Sequence, residues 1–75
     1  MERLGEVVRT AQGLAIVRCP DDDPPEVGTE AVDEQLSSVG RVVDVFGPVS
    51  RPYVAVSPDE DAALAPLLGE KLYAR

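Results

Sequence analysis

Short apolar segments separated by glycine and proline run along the whole chain. The first covers about residues 3–11, a continuous apolar run follows over 14–19, and a shorter segment covers 29–32. Segments this short and this rich in valine favour strands, while the intervening glycines and prolines favour turns. The pattern therefore predicts three strands in the first half of the chain, followed by a turn at 33–35.

The clearest strand of the second half covers residues 39–46. Strict alternation along it would place Val39, Arg41, Val43 and Val45 on one face of a sheet, and Gly40, Val42, Asp44 and Phe46 on the other. A Gly-Pro loop ends this strand, and another strand over 52–56 follows. These two strands are predicted to pair as a hairpin. Their loop is longer than a two-residue turn, so the turn type does not set the register of the pairing.

A helix N-terminus is the strongest local signal in the last third of the chain. Ser57 is predicted to be the N-cap, and Pro58 the first residue of the helix. Glu60 would be the acidic residue of a capping box with Ser57. Pro66 then ends or kinks the helix, and Gly69 suits its C-terminal stop, so the pattern predicts a helix of one or two turns. Residues 70–75 then alternate as a last strand.

Together these elements predict an all-β fold, a small six-stranded β-barrel with one short helix. Strands this closely spaced suit a closed or nearly closed barrel, because closure protects the strand edges. We expect the 75 residues to form a single domain, 1–75, and a chain this short buries only about 60–65% of its unfolded surface.

The side chains needed for catalysis are scarce. The chain has no histidine and one cysteine, so it lacks the usual general acid–base and cannot build a Cys/His zinc site. Cys19 or Asp44 could act in catalysis only if a cleft shifted its pKa. More commonly, such a cysteine is a buried, inert thiol and such an aspartate is a solvated carboxylate. The triple aspartate at 21–23 lacks the spacing of a calcium loop. We expect no enzyme, no metal and no cofactor.

Net charge predicts little direct contact with RNA. Fourteen acidic and seven basic residues give a formal charge of −7, whereas phosphate binding needs clustered lysine and arginine. Arginine outnumbers lysine six to one, and an acidic, lysine-poor surface is favoured in a cytoplasm of very high salt. A halophilic host and a simply acidic small protein both fit. With no long apolar run, we expect no membrane contact and a cytoplasmic location.

The stretch 45–54 combines apolar and aromatic residues with two prolines and one glycine. A stiff apolar loop loses little entropy on docking, which suits a contact with another protein. The alternative is that Phe46 and Tyr53 fill the interior of the barrel. The sequence leaves both readings open.

The sequence resembles the archaeal Gar subunit of box H/ACA ribonucleoproteins in two neighbouring stretches. They are Gly-Arg-Val-Val-Asp-Val-Phe-Gly-Pro-Val at 40–49 and Arg-Pro-Tyr-Val-Ala-Val at 51–56. Weaker support comes from Gly28-Thr29 and from residues 69–73. The resemblance implies a six-stranded barrel similar to the barrel domains of elongation factors. Eukaryotic members carry glycine- and arginine-rich tails, and since no such stretch occurs in residues 1–75 we expect the minimal archaeal form.

The same resemblance implies a non-catalytic subunit that binds the dyskerin-type pseudouridine synthase, in a particle with guide RNA and other small subunits. It would assist guide-RNA-directed pseudouridylation of rRNA in ribosome biogenesis, by helping substrate loading and product release. The matching positions imply a docking surface made of Val45, Phe46, Gly47, Pro48, Val49, Pro52, Tyr53 and Val54. The alternative is a generic translation-factor-like barrel that binds another protein.

Overall fold

Six antiparallel strands close into a barrel in the computed structural model, which describes residues 2–20, 24–59 and 67–75. The strands are, in chain order, β1 (Glu2–Ala11), β2 (Leu14–Arg18), β3 (Glu30–Val32), β4 (Ser38–Phe46), β5 (Tyr53–Pro58) and β6 (Lys71–Ala74). They are hydrogen-bonded in the order β1-β2-β5-β4-β3-β6, and β6 returns to β1. The predicted all-β, six-stranded barrel is confirmed.

Small aliphatic side chains fill the interior, because a narrow barrel has room for little else. Val17, Val54, Val56 and Leu72 are completely buried. No polar or charged residue of the described ranges is buried. The inner face therefore gains its stability from apolar packing alone, and every ionic group of those ranges lies on the outside.

β-Bulges interrupt the alternation that the sequence predicts for β4. Val39 is skipped in the pairing with β3, and Val43 is skipped in the pairing with β5. A bulge inserts one extra residue and shifts the following side chains to the other face. As a result Val43 is 44% exposed while Val45 packs against the core. The predicted alternation is therefore wrong: Val39 and Val42, predicted on opposite faces, are both buried in the core, while Arg41 and Val43 are both exposed.

The predicted start of the helix is also wrong. Ser57 and Pro58 belong to β5 and lie opposite Arg41 and Gly40 of β4. The N–H of Asp59 donates to the carbonyl of Val39 at 2.8 Å, so the ladder continues through the expected cap. Long-range strand pairing outweighs the local capping pattern here. The rest of the predicted helix, 60–66, lies outside the described residues.

Gly40 makes this close pairing possible. A Cβ atom at this position would overlap the carbonyl oxygen of Ser57 on β5. The obstacle is backbone, which cannot move aside without separating the two strands. The hairpin that carries the 47–52 loop therefore depends on a glycine near the start of β4.

Candidate functional site

The 45–54 stretch forms the far end of the β4–β5 hairpin. The strands end at Phe46 and resume at Tyr53, which lie opposite each other in the register. Between them, the N–H of Arg51 donates to the carbonyl of Pro48 at 3.2 Å and closes a turn. Gly47 enters this turn with a φ of +93°, a value that side-chain-bearing residues rarely adopt. Glycine and proline thus define the path of the loop.

An apolar groove of about 230 Å³ runs along this loop. Its lining consists of Pro24, Val45, Phe46, Gly47, Pro48, Val49 and Pro52. Val49 is 90% exposed at its rim. An apolar side chain with that exposure gains nothing from the fold of its own chain, so it is available to a partner.

Phe46 and Tyr53 stack on the outer surface of the hairpin. Their ring centroids are 5.8 Å apart and their planes differ by 22°. A Cβ atom on Gly47 would lie 2.8 Å from Cδ2 of Tyr53, so the ring rests directly against the glycine. Neither aromatic residue belongs to the core cluster. Of the two readings of the sequence, the one in which these rings fill the barrel interior is therefore wrong.

Two residues of the predicted docking surface are buried: Val54 lies beneath the groove, whereas Pro52 lines it. Val54 is 0% exposed and belongs to the core. Pro52 is also buried, and its carbonyl accepts the N–H of Cys19 at 3.0 Å. Because a fully buried side chain cannot touch a partner, Val54 supports the loop from inside. Pro24 joins the groove from a segment distant in sequence, and no pattern in the sequence pointed to it.

A second pocket, of about 210 Å³, collects positive charge. It is lined by Arg3, Gly5, Glu6, Arg18, Cys19, Pro20, Arg51 and Lys71. Four of the chain's seven basic residues are therefore gathered in one place. These four lie far apart in sequence, so only the strand register could reveal the cluster.

The two residues considered for catalysis differ in exposure. Cys19 is 3% exposed. Asp44 is exposed, and its Oδ1 accepts the N–H of Val45 at 2.9 Å. Within the described ranges, no group of three histidine, cysteine, aspartate or glutamate residues could hold a metal ion. The triple aspartate at 21–23 lies outside those ranges.

No helix in the part of the chain that the structure describes has the length and apolar character to cross a membrane.

The model of a protein family described as "Gar1/Naf1 RNA binding region" matches residues 1–75. Among curated proteins, no sequence matches the chain. The family match confirms the resemblance seen in residues 40–56. It assigns a role associated with H/ACA ribonucleoproteins, in an accessory family that is not a catalytic one. Since the match covers the whole sequence, the chain belongs to the Gar1/Naf1 family.

Proposed function

We propose that this protein is the accessory subunit of an archaeal box H/ACA ribonucleoprotein that docks on the dyskerin-type pseudouridine synthase. In the cytoplasm it assists guide-RNA-directed pseudouridylation of rRNA by helping substrate loading and product release. The observation that carries the proposal is the apolar groove along the stiff 47–52 loop. Apart from Pro24, the residues that line the groove lie within the segment that most resembles the Gar subunit.

The groove has the physical properties of a docking site. Pro48 and the turn that Arg51 closes hold the loop in one conformation, so docking would cost little conformational entropy. Val49 is 90% exposed, and complete burial of a valine side chain contributes about 1.5–3 kcal/mol. An apolar anchor on a rigid loop is typical of the residues that dominate the free energy of binding.

The net charge supports the same partner. A synthase that binds guide and substrate RNA presents basic surface, and a chain of charge −7 is attracted to it. This attraction raises the association rate and weakens with added salt. The apolar contact would persist at high salt, as a halophilic host requires.

The test is a calorimetric titration of the protein into a cognate archaeal synthase in molar KCl. We compare the wild type with Val49→Asp, which places a charge at the rim of the groove. The matched control is Val27→Asp, because Val27 is 64% exposed and does not line the groove. We expect one-to-one binding, an affinity lowered at least tenfold by Val49→Asp, and no change with Val27→Asp.

Equal affinities for the two aspartate variants would show that the groove is not the docking site. Absence of binding by a wild type that circular dichroism shows to be folded would refute the proposal. The barrel would then be a module that binds some other protein.

The same spectra, recorded from dilute buffer to molar KCl, test whether the host is halophilic. A halophilic host predicts that the chain folds as salt is added.

A further inference from the structure

Leu36 adopts a backbone conformation that costs a leucine free energy. Its φ of +65° lies in the left-handed region, which glycine and asparagine adopt more readily. The side chain is also 53% exposed, so the fold gains little from burying it. A residue that is both strained and exposed departs from local preference without stabilising the chain, and such positions are typical of functional sites.

The turn between β3 and β4 holds Leu36 in this conformation by hydrogen bonds. The Oδ1 atom of Asp33 accepts the N–H groups of Gln35 and Ser37 at 2.8 and 3.0 Å. The carbonyl of Asp33 accepts the N–H of Leu36 at 3.0 Å, and the N–H of Asp33 donates to the carbonyl of Ser37 at 3.0 Å. The exposed leucine is therefore presented on a rigid turn, and a contact with it costs little conformational entropy.

This turn borders an acidic cleft of about 310 Å³. The cleft is lined by Asp33, Glu34, Gln35, Leu67 and Glu70. Leu36 follows the first part of this lining in the chain, and Leu68, which is 52% exposed, follows the second. Consecutive Cα atoms are about 3.8 Å apart, so both exposed leucines lie at the rim of the cleft. Apolar side chains and negative charge are therefore combined on one surface.

The carboxylates of the cleft are not balanced by a cation. Among the described residues the lining contains no basic side chain, and Lys71, which follows Glu70, lines the basic pocket instead. Within that part of the chain no ion pair involves a residue of the cleft. The neighbouring residues 60–66 lie outside it, and their sequence adds Glu60 and Asp61 but no lysine or arginine. The cleft therefore offers a partner negative charge.

The cleft and the apolar groove lie at opposite ends of β4. The 33–37 turn directly precedes Ser38, where β4 begins, and the lining of the groove includes Phe46, where the strand ends. At about 3.3 Å per residue, the strand separates the two surfaces by roughly 25 Å. A protein bound at the groove can therefore leave the cleft free.

We propose that the cleft and the leucines at its rim bind a basic, amphipathic segment of another protein. Lysine or arginine side chains of this segment pair with the carboxylates, while its apolar side chains cover Leu36 and Leu68. Nucleic acid does not fit, because the carboxylates repel its phosphates. A second copy of the chain is disfavoured in the same way, since each copy has a net charge of −7.

The experiment measures fluorescence anisotropy of a short fluorescein-labelled peptide of lysine and leucine, patterned as an amphipathic helix, titrated with the isolated chain. It uses the lowest KCl concentration at which circular dichroism shows the chain to be folded. We expect saturable one-to-one binding that weakens as KCl is added. A peptide with serine in place of each leucine has the same charge, and it should bind at least about fivefold more weakly.

Two pairs of matched variants locate the contact. Leu36→Asn should weaken binding about fivefold or more, whereas Val49→Asn alters the exposed valine of the groove and should leave the peptide affinity unchanged. Glu34→Gln should weaken binding by up to about fivefold, whereas Glu2→Gln makes the same change of net charge on β1 and should not. Since asparagine adopts the left-handed region readily, Leu36→Asn should remain folded, which urea unfolding verifies.

Three results would overturn the proposal. They are no binding of the lysine–leucine peptide by the folded chain, equal affinities for the leucine and serine peptides, and equal effects within either pair of matched variants. The second result would show only a general attraction between opposite charges, and the third would place the contact elsewhere on the barrel. Because the measurement uses the isolated chain and no synthase, its outcome is separate from that of the docking experiment.

Discussion

Replacement of Gly47 with alanine tests how the 47–52 loop is held against the barrel. Gly47 has a φ of +93°, and a Cβ atom there would lie 2.8 Å from Cδ2 of Tyr53. Gly28 provides a matched control, because its φ is +97° and a Cβ atom there would have nothing within 4 Å. Alanine at either site meets the same backbone strain, but only alanine at 47 must displace an aromatic ring.

The expected magnitudes follow from these two contributions. The left-handed region costs a side-chain-bearing residue about 1–2 kcal/mol, and this cost applies to both variants. Displacing Tyr53 also breaks its stack with Phe46, and such a pair contributes about 0.5–1.5 kcal/mol. Gly47→Ala should therefore be less stable than Gly28→Ala by about 0.5–1.5 kcal/mol. In a domain of this size that is a difference in Tm of roughly 2–12 °C.

The assay is urea unfolding of both variants, followed by far-ultraviolet circular dichroism. Near-ultraviolet spectra of the folded proteins report the environment of the tyrosine rings. Total stability of about 4–11 kcal/mol for 75 residues leaves both variants folded in buffer. If the two variants unfold with the same free energy, the contact between Gly47 and Tyr53 contributes nothing, and the loop is not held in place by it.

Four further substitutions, one of them a control, test the barrel and one of its turns by urea unfolding. Gly40→Ala should lower the free energy of unfolding by about 3 kcal/mol, because the added Cβ would overlap the Ser57 carbonyl oxygen. A loss under about 1 kcal/mol would contradict this close approach of the two strands. Leu72→Ala, at a site that is 0% exposed, should cost about 2–5 kcal/mol, while Leu68→Ala, at 52% exposure, should cost under about 0.5 kcal/mol. Asp33→Ala removes the Oδ1 acceptor of the N–H groups of Gln35 and Ser37, at 2.8 and 3.0 Å, so the free energy of unfolding should fall by about 1–2 kcal/mol. An unchanged urea midpoint would count against those hydrogen bonds.

The sequence located the strands well, since each lies near an apolar segment bounded by glycine or proline. The run predicted over 14–19 is β2, Leu14–Arg18, and the segment predicted over 39–46 is β4, Ser38–Phe46. These predictions succeed because strand propensity and turn chemistry act within a few residues. Recognition of the family from residues 40–56 succeeded for the same reason, because the motif is contiguous.

The errors lie where a distant strand decides the local structure. Ser57 and Pro58 have a sound capping pattern, yet they pair with β4 because Gly40 lets the backbones approach closely. Val43 leaves its predicted face because a bulge shifts the pairing with β5. No pattern within one segment contains the register that a second segment imposes on it.

The two surface pockets likewise depend partly on the sequence and partly on the tertiary structure. The sequence by itself determined the six strands, the apolar character of the 45–54 loop and the net charge of −7. Only the tertiary structure placed Val54 inside, brought Pro24 into the groove, and gathered four basic residues around one pocket. The physical reason is that charge and apolarity belong to single residues, whereas a patch depends on distances between them. Those distances are set by barrel closure, which joins strands far apart along the chain.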